Sequence, residues 1–430
     1  MYSIGILIGA FCILIELKKH KLTPLIIFSS LWSCILLLSA FRLYHLDEAS
    51  NQAYIVISIG MFGFGIGYLM FNKIAIRLHK KTISYNIRER LILILSCITI
   101  FLYLMDFMKV ANYLMNGQTL AYIRALSQDS TSILYSNRGK LETAVRYFII
   151  QPFAMSLQVI VATEFLNGKK KWLIIDIIII ILRVLSEGSR SLILYLGFHM
   201  IIAFILDNKV NDYINRYKGK INVRRRKKYI KLIVLAAVLL VIYTTFSRSG
   251  ERAFRTTYYY FSMEPTMLGL WLQEIKKYGF GLASINGLVY PVLFLIKNTF
   301  QISTYPLNWY HNIFLLIDDT DKIWKTISSF DNTQANAYVS IFWFAFLDGG
   351  YIGTFVILFA FGMIYSLMYH AVTKHRDKKT SCLYSYLLQG LVFSFIRLQF
   401  ADVSYALGFM FLLIVAFRKR EVSNEKQVKN

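Results

Sequence analysis

KWLIIDIIIIILRVLSEGSR, residues 171–190, starts at the end of a lysine cluster, runs largely apolar and closes on an arginine. At about 1.5 Å rise per residue, a helix places Arg190 roughly 29 Å from Lys171. The hydrocarbon core of a bilayer is about 30 Å thick. The stretch therefore reads as a membrane crossing with charge at both edges. Three further stretches have the same form: Arg146 to Lys169, Lys231 to Arg248 and Lys379 to Arg397. The four separations are roughly 26 to 35 Å in helical geometry. Arg146, Arg190, Arg248 and Arg397 are thus predicted at one depth, the membrane boundary opposite the basic clusters.

The rest of the chain agrees. It is 56% hydrophobic, with a mean hydropathy of +0.50, too apolar for a soluble enzyme. Apolar runs of about 17–23 residues read as membrane helices. We place eleven, near 2–17, 22–41, 53–71, 91–109, 142–166, 172–189, 192–206, 230–247, 351–370, 381–401 and 403–417. The first lacks the basic lead and small-residue cleavage site of a signal peptide. The runs are continuous rather than alternating, which argues against strands. The fold class expected is an all-α polytopic membrane protein, residues 1–430 forming one integral membrane domain.

A net charge of +24 suggests nucleic acid, but the distribution of charge argues otherwise. Of 48 lysines and arginines, 31 fall in segments 18–21, 72–90, 167–171, 207–231, 371–380 and 418–430, every second connection plus the C-terminus. The positive-inside rule makes these cytoplasmic, so the N-terminus lies outside and the C-terminus inside. Loop 207–231, with its run Arg224–Lys228, then sits against anionic headgroups. Nucleic acid is not an expected partner; membrane lipids are. Cys12, Cys34, Cys97 and Cys382 lie in apolar spans without metal spacing and read as buried small residues. No dinucleotide fingerprint, P-loop or HExxH is present. No internal repeat of the transporter kind is found.

Two outer segments are large, 110–141 and the loop 247–333. The second carries Tyr258–Phe261, Trp309-Tyr310, Gly279, Gly281 and Gly287, and an apolar run, Leu288–Ile296, too short to span. That run reads as a re-entrant or interfacial element. The aromatic and polar side chains suit either sugar recognition or an aromatic belt at the membrane surface. Asn336–Phe346, interrupted by Asp348-Gly349-Gly350, reads as a half-helix, a break and then a span.

Arginine in apolar context is expensive and usually functional, and its planar fork suits phosphate or pyrophosphate. Arg248, Arg252 and Arg255 share one helical face and repel unless an anion joins them. A basic patch for lipid headgroups is the competing reading. Asp176, Arg183 and Glu187 read as an internally neutralised stripe. Arg190 follows Gly188-Ser189, where a ligand can approach the backbone. His311 is a candidate general base. Asp318-Asp319-Thr320-Asp321 reads as a solvated acidic turn rather than a metal motif.

Several of these features together resemble the Wzy-type polymerases of oligosaccharide repeat units. They are Glu187-Gly188-Ser189-Arg190-Ser191, the arginine-rich approach to the outer loop followed by Tyr258–Ser262, Asn336-Ala337-Tyr338-Val339-Ser340, and Asp348-Gly349-Gly350-Tyr351-Ile352-Gly353. The likeness lies mainly within 180–360. Val339 and Gly349 stand where the family has threonine and phenylalanine. The resemblance implies a GT-C-like membrane glycosyltransferase making O-antigen, capsule or exopolysaccharide. Its substrates are undecaprenyl-pyrophosphate-linked oligosaccharides, with neither cofactor nor metal. Arg190, Arg252 and His311 are then candidate catalytic residues. Arg146, Arg248, Arg255, Tyr258, Tyr259, Asn336, Tyr338 and Arg397 are candidate substrate ligands. A flippase and a chain-length regulator of the same pathway are possible partners. An O-antigen-ligase-like transferase and a lipid-linked oligosaccharide transporter are the alternatives.

Overall fold

The computed structural model describes residues 2–17, 22–75, 85–129, 132–135, 138–189, 191–214, 253–302, 308–375 and 377–419. It is predominantly helical. The long elements are α1 (Tyr2–Leu17), α2 (Pro24–Phe41), α3 (Asn51–Ala75) and α4 (Glu89–Met115). After the short α5 (Leu120–Gln128) come α6 (Lys140–Leu166), α7 (Lys171–Glu187) and α8 (Ser191–Ile214). Residues 253–322 hold α9 (Ala253–Ser262), α10 (Glu264–Leu272), α11 (Asn286–Thr299) and α12 (Asn308–Lys322). A hairpin of β2 (Lys325–Ser328) and β3 (Thr333–Ala335) follows. The chain ends with α13 (Ser340–His375), α14 (Lys378–Val392) and α15 (Val403–Val415). Strand β1 (Tyr85–Ile87) pairs with β4 (Phe417–Lys419) in antiparallel register, so among the described residues short strands do occur outside the helices.

Among the described residues, five helices are long and apolar enough to cross a membrane: Pro24–Phe41, Asn51–Asn72, Glu89–Met115, Lys140–Leu166 and Ser340–Lys374. Tyr2–Leu17, Ser191–Leu206 and Val403–Val415 are shorter apolar helices. The expected span 230–247 lies outside the described residues. The span expected at 381–401 is a helix only as far as Val392, beyond which the chain turns through short 3₁₀ segments. Large apolar side chains face outward along the spans, among them Leu7, Phe11, Ile94, Phe101, Ile174, Ile352 and Val356. Such a belt is costly in water and favourable in lipid. Cys34 and Cys97 are exposed, whereas Cys12 and Cys382 are buried as expected.

The largest helix–helix interface joins α3 to α13. It is built from glycine. A Cβ at Gly63 would come 2.7 Å from the Phe355 carbonyl, and one at Gly67 2.1 Å from that of Phe359. Close backbone approach through small residues is how membrane helices gain contact when lipid competes for apolar surface. Helix α13 breaks at Gly349-Gly350, where Gly350 has φ +61° and ψ −145°. Only glycine adopts that geometry readily. Helix α6 contains a π-turn at Arg146–Ile150 just before Pro152. The proline has no N–H to donate and its ring would crowd the carbonyl of Phe148, so the wider turn relieves both.

The described parts of four basic segments, at 85–90, 167–171, 377–380 and 417–419, meet at one end of the bundle. Register in the β1–β4 pair sets Arg418 opposite Asn86. Lys169 and Lys171 both bond Glu89, and Lys379 lies over the Tyr85 ring. Lys378 bonds Glu164 at 2.6 Å. Arg146 and Arg397 stand at the opposite ends of the helices that carry these lysines. Inside the bundle, His199 of α8 bonds Ser385 and Gln389 of α14 at 2.9 and 2.8 Å.

Candidate functional site

Arg397 closes the segment after α14 and enters a knot of polar contacts. One terminal nitrogen bonds Asp321 Oδ2 at 2.8 Å and the other bonds Thr320 Oγ1 at 3.0 Å. Asn336 donates to the Asp321 carbonyl at 2.6 Å, and the Ala337 amide to the Thr320 carbonyl at 2.8 Å. The amides of Val339 and Ser340 bond the carbonyl of Ile396. The last turn of α12, the 336–340 segment and Arg397 therefore form one unit. Ala337 and Ser340 have φ of +65° and +55°. Such backbone costs about 1–3 kcal/mol at each residue and persists only where surrounding contacts hold it. Tyr338 stacks on Tyr260 of α9 with ring centroids 5.8 Å apart and planes 16° from parallel. Tyr260 is exposed. The stack puts an open aromatic face next to the Arg397–Asn336 knot.

Arg255, in the first turn of α9, reaches the same hairpin from the other side. It bonds Thr333 and pairs with Asp331, and its guanidinium lies 5.2 Å from the Tyr259 ring centre. The Thr333 hydroxyl, with Arg255 behind it, holds the Asp331 carboxyl below its usual range. Thr333 and Asn336 are three residues apart. That is roughly 10 Å of extended chain, which sets how closely the two arginine anchors follow one another.

Arg146 is spent differently. It is buried, donating to Asp106 and to Glu142, and Arg138 donates to the other Asp106 oxygen at 2.7 Å. The network holds two cations and two carboxylates, so Arg146 needs no external anion. Next to it, Tyr147 lies within electrostatic reach of Arg397, Asp321 and Asp402. The end of α6 that carries Arg146 thus lies near the Arg397 knot. Arg183 pairs with Glu187 at 2.9 Å. Contrary to the stripe of Asp176, Arg183 and Glu187 expected from the sequence, Asp176 does not share in that neutralisation. It is buried and accepts from Gln158 on α6 at 2.7 Å.

Other candidates are redirected. The Tyr258 hydroxyl donates to the Leu38 carbonyl at 2.6 Å, and that of Tyr259 to the Tyr44 carbonyl at 2.6 Å. Both phenols are occupied in fastening α9 to the end of α2. His311 lies in the first turn of α12, ten residues from Asp321. That spacing is about 15 Å along a helix, so His311 and the Arg397 knot cannot share one reacting atom. The acidic run of α12 is not simply solvated: Asp318 pairs with Lys322 and Asp321 with Arg397. Asp348 accepts the amides of Ala283 and Ser284 at 2.9 and 2.7 Å, which pins the glycine-rich loop to the break in α13. The apolar run at 288–296 forms α11, a helix with Pro291 inside it and with exposed Val292 and Leu295. Arg190, Arg248 and Arg252 lie outside the described residues.

Sequence reasoning missed Asp106, Asp321, Tyr260 and Glu264 as partners. A lone aspartate within the apolar stretch FLYLMDFMKV was a usable signal for the first. Glu264 is fully buried at the start of α10, with the Ser340 hydroxyl alongside. Its oxygens make no hydrogen bond of good geometry among the described residues. Desolvation pushes its carboxyl up to about 8. Among the described residues, no group of three or more His, Cys, Asp or Glu side chains forms a metal site. No family model, curated protein or solved structure matches the chain.

Proposed function

We propose that this chain is a bacterial inner-membrane glycosyltransferase with about eleven membrane spans in a GT-C-like arrangement. It polymerises undecaprenyl-pyrophosphate-linked repeat units on the outer face. In this reading loop 247–333 and the N-terminus are outside, and loop 207–231 and the C-terminus are cytoplasmic. The observation that carries the reading is the Arg397–Asp321–Asn336 knot beside the Tyr260–Tyr338 stack, at the end of the bundle opposite the lysines. Sugars dock on open aromatic faces, and a lipid pyrophosphate comes to rest at headgroup depth. The acceptor hydroxyl forms a bond to the donor anomeric carbon. The bond from that carbon to pyrophosphate oxygen breaks, and the leaving group keeps the electron pair. The acceptor proton is released.

The three candidate arginines that lie among the described residues are each paired with a carboxylate: Arg146 with Asp106, Arg255 with Asp331 and Arg397 with Asp321. Stabilising the departing pyrophosphate therefore falls to Arg190, Arg248 and Arg252 in this proposal. Arg397 and Arg255 fix the loop, and Asn336 and Tyr338 meet the glycan. In a strain deleted for the gene, single lipid-linked repeat units should persist while long chains vanish. Loss of all outward repeat units would instead identify a flippase.

A further inference from the structure

The end of the bundle remote from Arg146 and Arg397 holds a cavity of about 820 Å³. That is within the roughly 300–1,000 Å³ usual for ligand sites. Its wall includes Arg88, Arg90, Lys169, Lys378 and Arg418 against only Glu89 and Glu164. The two carboxylates are already committed. Glu164, fully buried, pairs with Lys169 at 3.1 Å and Lys378 at 2.6 Å. Glu89 pairs with Lys169 and Lys171. Arg88, Arg90 and Arg418 are exposed and have no carboxylate partner among the described residues. Five cations converging on two neutralised carboxylates leave the cavity short of an anion.

A second observation says what kind of anion. Lys378 also borders a slot of about 200 Å³ between α2, α6, α8, α13 and α14. Its walls include Leu166, Ile202, Ile205, Leu206, Val372 and Leu388. Thr163 and Asn167 line the slot while Glu164 and Lys169 line the cavity, so one turn of α6 separates the two. A greasy slot and a basic cavity joined at one lysine match an amphiphile with an anionic head.

We propose that this is a binding site for an anionic phospholipid, with the phosphate among Arg88, Arg90, Lys378 and Arg418 and an acyl chain in the slot. The site belongs to the lysine-rich face and does not depend on the glycan-polymerase reading. Purified full-length protein would be titrated with dioleoyl phosphatidylglycerol or dioleoyl phosphatidylcholine and retained lipid counted by native mass spectrometry. Phosphatidylglycerol should be retained preferentially. A basic residue near an anionic surface is worth about fivefold in affinity, so Arg90→Gln with Arg418→Gln should weaken retention roughly 25-fold. Both side chains are exposed, so the variant should keep its unfolding temperature. Lys140→Gln, which removes one positive charge at the other end of the bundle, should leave retention unchanged. Equal retention of both lipids, or undiminished retention in the double variant, overturns the proposal. So does stabilisation by inorganic phosphate alone equal to that by the lipid, which would make this a free-phosphate site.

Discussion

Asp106 stands between Arg138 and Arg146, and all three are nearly inaccessible. Removing its charge takes away the carboxylate that Arg138 pairs with and leaves Arg146 with Glu142 alone, in a medium that solvates cations poorly. Breaking a buried pair of this kind typically costs about 3–5 kcal/mol, whereas the intact pair is worth little over an apolar substitute. Asp106→Asn should therefore lower the unfolding temperature sharply in detergent, and an unchanged temperature would show that the network is not holding α4 to α6. Glu264 makes a pH-dependent contribution. Its folded carboxyl keeps its proton up to about pH 8, while the unfolded one loses it near the ordinary value of 4.5. Its stabilising contribution is complete below 4.5 and is lost as pH rises from there to about 8. Between pH 5 and pH 8 the wild type should lose more thermal stability than Glu264→Gln. Parallel losses would mean that the carboxyl is ionised or solvated in the folded state.

Helix α3 packs most extensively against α13, and its glycines set how closely the two can approach. A side chain at Gly67 meets the backbone of Phe359, which cannot move aside as a flexible side chain can. Gly67→Val should separate the helices and lower the yield of folded protein. A surface change such as Lys277→Gln should not. The apolar runs made these helices legible in the sequence, because length and composition alone decide whether a segment can cross a bilayer. The GMFGFGIG stretch at 60–67 also carried its packing face, visible as glycines four apart at Gly63 and Gly67. What remained hidden were partners distant in sequence. Asp321 lies 76 residues from Arg397, and Tyr85 pairs with Lys419 across almost the whole chain. Asp348 looked like a motif residue, yet it accepts two amides that fix the glycine-rich loop. Asp348→Ala should open residues 279–284 to limited proteolysis while α13 stays helical.

Across the whole molecule, charge is sorted to two ends. Among the described residues, lysines and arginines of four basic segments gather at one, and Arg146, Arg255 and Arg397, matched with carboxylates, gather at the other. The sequence showed this sorting because span length and loop charge are both local quantities. It did not show that Arg146, Arg255 and Arg397 already have internal counterions, since those come from other elements. In a cysteine-free background, Lys277→Cys should react with an impermeant thiol reagent in intact cells or spheroplasts, and Lys419→Cys only after lysis. The reverse pattern would invert the topology. The glycosyltransferase reading itself is tested most directly in liposomes holding the purified protein and a single lipid-linked repeat unit. A ladder of longer glycans should form. It should collapse with Arg190→Lys or Arg252→Lys, since a point charge cannot replace a bidentate fork and losing one preorganised donor costs about 10²–10³ in rate. Arg225→Ala, in the basic loop, should leave the ladder intact. If the wild type made no ladder, or both lysine variants made one of normal length, the polymerase account would be contradicted.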